Sequence, residues 1–220
     1  MGLLWGGIAG LCLVAYLLGS LPTGYWVAKQ LKGIDIREHG SGSTGATNVL
    51  RTIGKGPGLL VFVVDIGKGV APVLLTRWAT GLLAADVAPS LDWLPWVVVL
   101  AGALAILGHS RSIWLNFTGG KSVATGLGVM FALHWPTGLI AFGVFGLLLA
   151  VFRIVSLGSI GGAIAAPTAM FLLGQPLAYG VFAIAAGGYV INRHRSNIQR
   201  LLAGTEPRIG QKLESVSSKP

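Results

Sequence analysis

The stretch LLVFVVDIGKGVAPVLLTRWATGLL, residues 59–83, decides the kind of fold this chain adopts. At 1.5 Å per helical residue it reaches across the ~30 Å hydrocarbon core of a bilayer, and it is too continuously apolar for the one-sided face of a soluble helix. Within it Asp65 and Lys68 stand three residues apart, so on a helix they share a face and either pair or project together into a wet cavity. Ionisable groups inside a span are functional candidates by default, although a buried structural pair leaves the same signature.

Similar apolar blocks lie on both sides of this stretch, at residues 3–28, 93–107, 123–133, 137–152, 157–173 and 177–191. Together they predict an all-α polytopic membrane protein with seven spans. Composition agrees: 53% of the 220 residues are hydrophobic, only 10% are charged and 34 are glycine, with a mean hydropathy of +0.75. That balance excludes an ordinary soluble domain. The length leaves little outside the bilayer, so we expect one membrane-embedded domain over residues 1–220, with polar segments 29–58, 108–122, 153–156 and 192–206 and a polar tail at 207–220.

The first block carries no Lys or Arg before Lys29 and runs too long for a signal-peptide core, so it is read as a retained span. Ser20-Leu21-Pro22-Thr23-Gly24 interrupts it near its basic end, as a packing kink or as the lining of a cavity. The lone Cys12 lies inside this span, with no partner for an intramolecular disulfide. If the spans alternate, one side receives 14 of the 16 Lys and Arg residues, and the turns at 84–92, 134–136 and 174–176 on the other side receive none. Basic loops stay in the cytoplasm, which places the N-terminus outside and the C-terminus inside. The net charge of +9 therefore records topology and gives no basic face for nucleic acid.

Three polar clusters then meet on the cytoplasmic side. The first is Gly40-Ser41-Gly42-Ser43-Thr44-Gly45-Ala46-Thr47-Asn48, followed by Arg51. Its glycines allow successive N–H groups to converge, its hydroxyls add donors, and a helix beginning near Ala46 adds free amides, the makings of an anion site. A solvated Gly/Ser linker is the plainer reading, but a linker requires neither the Asn nor the Arg. The second is Gly119-Gly120-Lys121-Ser122, where a span begins beside a lysine. It resembles the end of a P-loop, but Leu115 stands where the first glycine belongs and no strand precedes it, so nucleotide hydrolysis is rejected. The third is His194 with Asn197, three apart, beside Arg193 and Arg195.

No His/Cys cluster suggests a metal, and no cofactor is expected. None of the four histidines is followed five residues later by Asp, and there is no Gly-x-Ser-x-Gly elbow in a strand-turn-helix context. An enzyme built from these residues lacks an evident strong base or covalent nucleophile. Its catalysis would rest on positioning and on neutralising charge.

These motifs, together with Gly19-Ser20-x-Pro22, Asp35-Ile36-Arg37, Asp65-x-x-Lys68-Gly69, Gly108-His109, Arg153-x-x-Ser156-Leu157 and His194-x-x-Asn197-Ile198 with Gly204-Thr205-Glu206, resemble those of the bacterial acyl-phosphate:glycerol-3-phosphate acyltransferase (PlsY) family, in order and over nearly the whole chain. The chain departs from the family at Ser43, Ser112 and Ser122, where the family often has Asn, Pro and Gly. The resemblance implies a seven-span enzyme of the bacterial inner membrane with a cytoplasmic active site. It would transfer a fatty acyl group from acyl phosphate to the 1-hydroxyl of glycerol 3-phosphate, releasing phosphate and 1-acyl-glycerol 3-phosphate (lysophosphatidic acid) for phospholipid synthesis.

By the same resemblance Ser41, Gly42, Ser43, Gly45, Thr47 and Asn48 would hold a phosphate, and Arg51 and Lys121 would neutralise charge. Ser156, His194 and Asn197 would contact or orient the glycerol phosphate, completing a catalytic set with Arg51 and Lys121. Gly119 and Gly120 join Lys121 as the second substrate-binding loop. The donor's own phosphate oxygen would take the hydroxyl proton. The implied partners are the two substrates, the bilayer and the enzyme that supplies acyl phosphate. The rival reading is a transporter for a small phosphorylated solute; against it, the unusual residues crowd one face, with no matched half-repeats at the midplane.

Overall fold

A computed structural model describes residues 2–87 and 92–211 of the chain, which form helices joined by short loops, with one isolated antiparallel bridge between Ser112 and Thr118. The first span is not one helix. It divides into α1 (Gly2–Ser20) and α2 (Thr23–Lys32), because Pro22 cannot donate to the helix ladder and sits at the α2 N-cap with ψ 62°. A 3-10 turn at Ile36–Glu38 and the short α3 (Ala46–Thr52) follow. The decisive stretch becomes α4 (Lys55–Val87), whose 33 residues extend about 50 Å. It starts and ends beyond the expected 59–83, so residues 84–87 of the expected turn at 84–92 are helical, and 88–91 lie outside the described residues.

Next come α5 (Leu94–Ser110), a 3-10 turn at Ile113–Leu115, α6 (Val123–Leu133), α7 (Trp135–Phe152), α8 (Val155–Leu172), α9 (Leu177–Arg193) and α10 (Arg195–Leu202). The turn expected over 153–156 closes sooner: Arg153 takes φ 60° and Val155 is already helical. Ser156 is therefore fixed in the first turn of α8. His194 is likewise the hinge between α9 and α10, not a residue within a helix. Of the tail at 207–220, only residues to 211 are described.

Among the described residues, four segments are long and apolar enough to cross a membrane unaided, Trp5–Lys32, Lys55–Leu82, Trp135–Phe152 and Val155–Leu172. Leu94–Ser110 and Val123–Leu133 are apolar but shorter. The outward faces carry large apolar side chains such as Leu59, Trp78, Leu147 and Leu172, as a surface meeting lipid requires. Inside, Val73, Val99, Val129, Met170 and Phe182 form the core between α4, α5, α6, α8 and α9.

Several helix pairs come into backbone contact through glycine, among them α1 with α5, α4 with α6, α7 with α8 and α8 with α9. A Cβ on Gly69 or Gly128 would collide with the facing backbone of α6 or α4, and one on Gly19 or Gly108 with that of α5 or α1. Close approach of this kind is how helices associate where lipid removes the hydrophobic drive. It fixes the N-terminal ends of α4, α6 and α8 beside the C-terminal ends of α7 and α9.

Candidate functional site

At that end lies a cavity of about 290 Å³. Its wall includes Ser41, Ser43, Gly45, Thr47, Asn48 and Arg51 from the first polar cluster, Lys121 from the second, Ser156 from α8, and His194 and Asn197 from the α9–α10 hinge. The fold thus gathers ten of the predicted site residues, drawn from segments more than 150 residues apart, around one space. Gly42, Gly119 and Gly120 do not line it.

Asn48 explains how the first loop keeps its shape. It is buried, its side-chain amide donates to the carbonyls of Ile36 (3.2 Å), His39 (2.9 Å) and Ser43 (2.9 Å), and its Oδ1 accepts from the Ser41 N–H (3.0 Å). With these bonds made, the side chain organises the loop and has little left for a ligand. Gly42 at φ 67° supplies the turn, with its N–H donating to the His39 carbonyl at 3.1 Å. The hydroxyl loop is left facing the cavity.

The second loop is held from two sides. The Gly120 N–H donates to the His109 carbonyl (3.1 Å), and Arg193 donates to the Gly120 carbonyl (3.1 Å). A Cβ on Gly119 would collide with the His109 carbonyl, and one on Gly120 with the His109 ring. These two glycines allow close packing, and the residue they deliver to the cavity is Lys121.

Lys121 donates to Asn197 Oδ1. Asn197 in turn donates to Glu206 Oε1 at 2.6 Å, which also accepts from the Ser156 hydroxyl at 2.8 Å, and Arg200 Nε donates to Glu206 Oε2 at 2.7 Å. Glu206, which the sequence reading did not assign to the site, is the hub of this network. Two signals pointed to it: it closes the Gly204-Thr205-Glu206 motif that contributes to the family resemblance, and it stands among Arg193, Arg195, Arg200 and Arg208, with only Glu214 as a further acid in that segment. Beyond it the chain crosses the mouth of the cavity, where Arg51 donates to the Pro207 carbonyl (3.2 Å) and Arg153 to that of Ile209 (2.9 Å).

Electrostatics follow from burial and these bonds. Burial, the largest influence on the Lys121 ammonium, lowers its pKa below that of an ordinary lysine; Glu206 opposes this, and Arg200, Arg193 and Arg51 add to it. Burial also lowers that of Arg51, which stays protonated because a guanidinium titrates so high. For Glu206 burial works upward, but the bonds from Asn197, Ser156 and Arg200 outweigh it and hold the carboxyl below its ordinary value. Burial keeps His194 below its ordinary value, against the bond to Val190. That bond joins His194 Nδ1 to the Val190 carbonyl at 2.8 Å. A carbonyl only accepts, so Nδ1 carries the hydrogen and the neutral ring keeps Nε2 as an acceptor.

Adjoining this cavity, and sharing Phe62, Val123, Phe145 and Ser159 with it, is a smaller apolar void of about 70 Å³ lined by Gly126, Met130, Ala141, Gly162, Ala166 and Ala186 among others. The two spaces together suit an amphiphile with an anionic head and a hydrocarbon tail.

Fold and site define a multi-pass helical membrane protein with a cationic, hydroxyl-rich cavity at one end of its bundle. The glycerol-3-phosphate acyltransferase family model matches residues 9–204, and the chain belongs to that family. It is 61% identical over 207 residues to the glycerol-3-phosphate acyltransferase of Acaryochloris marina, covering 92% of each chain. It is 60% identical over 217 residues to that of Trichormus variabilis, covering 96% of each. Crystal structures of PlsY (YgiH), an integral membrane glycerol 3-phosphate acyltransferase, share 41% identity with it over 93% of this chain and 96% of theirs; the TM-score is 0.83 for the glycerol 3-phosphate form and 0.81 for the lysophosphatidic acid form.

Proposed function

We propose that this protein transfers a fatty acyl group from acyl phosphate to the 1-hydroxyl of glycerol 3-phosphate at the cytoplasmic face of the bacterial inner membrane, and that it spans that membrane seven times as one domain. Family membership makes it an acyltransferase that acylates glycerol 3-phosphate in phospholipid synthesis. The donor, the face and the residue roles are our reading. One observation carries it: two loops bring hydroxyls, Arg51 and Lys121 to a cavity that shares a wall with an apolar void. Acyl phosphate has that shape, with a phosphate head and an alkyl tail.

In the reaction, the glycerol oxygen forms a bond to the acyl carbon and the bond from that carbon to the phosphate oxygen breaks. Charge builds on the departing phosphate, where Arg51 and Lys121 neutralise it in a partly desolvated space. Ser41, Ser43 and Thr47 with the backbone around Gly45 bind a phosphate. Ser156, Asn197 and neutral His194 orient glycerol 3-phosphate, with Nε2 accepting from a hydroxyl. Glu206 is a poor base because it already accepts three strong bonds, so the proton passes to an oxygen of the donor phosphate. Acyl phosphate is an activated mixed anhydride, and positioning with charge neutralisation is sufficient catalysis. The enzyme that supplies acyl phosphate is the partner this donor implies.

The test is acyl transfer to labelled glycerol 3-phosphate by purified protein in detergent, with acyl phosphate, acyl-CoA and acyl carrier protein compared at equal concentration. Product with acyl phosphate alone is expected. Equal product from a thioester overturns the donor assignment.

A further inference from the structure

The proposed chemistry makes no use of one buried cluster of ionisable side chains. Asp65, Lys68 and His109 are 2%, 5% and 7% exposed. Lys68 Nζ donates to Asp65 Oδ1 at 2.7 Å and to the Leu21 carbonyl at 2.5 Å. That carbonyl belongs to the break between α1 and α2, where Pro22 supplies no ladder donor. His109 Nδ1 lies 3.8 Å from the same Asp65 oxygen. Asp65 and His109 line both the large cavity and a void of about 10 Å³ beneath the break.

An Asp–His pair beside a substrate cavity invites a general-base reading, and the geometry opposes it. The opposite edge of the His109 ring, at Nε2, faces the Gly120 position, where a single added methyl would strike it. Asp65 Oδ1 already accepts from Lys68 Nζ. The ring is a shelf, and what rests on it is the loop that ends in Lys121.

We infer that Asp65, Lys68 and His109 form a positioning unit that sets the place of Lys121. Lys68 locks α4 to the α1–α2 break, Asp65 packs at 3.8 Å against the inner edge of the His109 ring without a hydrogen bond, and Gly119–Gly120 lies against the outer side of the ring and the His109 backbone. Arg193 closes the clamp from α9 through the Gly120 carbonyl. The register of Lys121 thus comes from a buried ion pair two helices away. In a bilayer such a pair is retained only with its partners satisfied. Misplacing a catalytic cation by about 1 Å costs roughly 100-fold in rate. The inference rests on the reading of Lys121 as the cation that neutralises the leaving phosphate.

The experiment compares the full-length protein in detergent with two variants, His109→Ala and the double Asp65→Asn/Lys68→Met, which removes both charges together and leaves no unpaired ion. Each is made with Lys121 present and in a Lys121→Met background, with Tm recorded. With Lys121 present we expect kcat/KM for glycerol 3-phosphate to fall about 10- to 100-fold, through whichever of kcat and KM Lys121→Met itself moves. In the Lys121→Met background we expect a further loss below about threefold, since residues acting as one unit are not additive. A second measurement does not depend on activity: amine labelling read by mass spectrometry. Lys121 should label several-fold faster in both variants, with exposed Lys55 unchanged as the internal control. Losses that multiply fully in both backgrounds, or unchanged Lys121 labelling in folded variants, overturn the positioning unit. A folded wild type that makes no product overturns the proposed function and leaves the labelling result to decide the unit alone.

Discussion

Two buried carboxylates hold this molecule together in different ways. Asp65 bonds to a lysine three residues along its own helix, deep in a span. Glu206 sits beside the cavity and bonds to Ser156, Asn197 and Arg200, which are 50, 9 and 6 residues away. The first is a joint inside one helix that also secures a neighbouring break. The second gathers α8, α10 and the crossing C-terminal segment, and reaches Lys121 through Asn197. A local pair adjusts the position of what rests on it, whereas a distributed hub determines whether the site exists at all.

Glu206→Gln tests that difference most severely. A neutral amide of the same shape offers one oxygen where the carboxylate offers two, and it places an NH₂ against the Ser156, Asn197 or Arg200 donors. Breaking a buried ionic network by removing one partner costs about 3–5 kcal/mol, toward the lower figure here because Arg200 is 41% exposed. We expect a fall in Tm of several degrees in detergent and loss of acyl transfer by more than about 100-fold, given by several misplaced groups together. Retained activity with a lowered Tm would make Glu206 a staple of the fold alone.

Next in size is Lys121→Met, which removes the cation and keeps the length of the side chain. Removing one group that stabilises transition-state charge costs about 10²–10³ in turnover. Tm should stay within a degree or two, because Lys121 is only partly buried and its partner Asn197 keeps its bond to Glu206. A kinetic loss without a thermal one separates Lys121 from the hub that holds it; an unfolded variant would move the lysine to the structural side.

The same contrast accounts for what could be read from the chain. Asp65 with Lys68 was legible because one helix turn brings them together, and periodicity needs nothing else. The apolar helix at 123–133 and the break at Pro22 were legible for the same local reason. Glu206 was not, because its partners become neighbours only after α8 folds against α9 and the chain returns past α10. Nor was the division of labour inside the loops. Gly-rich polar stretches read as ligand cradles, but Asn48 fills its bonding capacity on its own loop and Gly119 and Gly120 face His109. Spacing identifies residues able to bind an anion, and only packing determines which way each one points.

The smallest effect expected is a pH dependence that separates His194 from Glu206. Burial holds His194 below its ordinary value of 6.5, so as pH falls the unfolded chain takes up a proton at this residue before the folded chain does. The unfolded state then binds more protons, and stability declines as pH drops from about 6.5 toward the lowered value, by at most about 1.4 kcal/mol per pH unit. Glu206 behaves otherwise: its carboxyl is held below 4.5, so its contribution is fully present above that value and is lost only as pH falls further. Tm measured from pH 7.5 down to 5.5 should therefore decline less in His194→Asn than in the wild type, whereas Glu206→Gln, which removes a charge that favours the protonated His194 ring, should keep the decline. A rate profile with an acidic limb that His194→Asn abolishes, in protein whose Tm is flat over the same range, would instead make the imidazole a titrating participant and count against proton transfer to the donor phosphate.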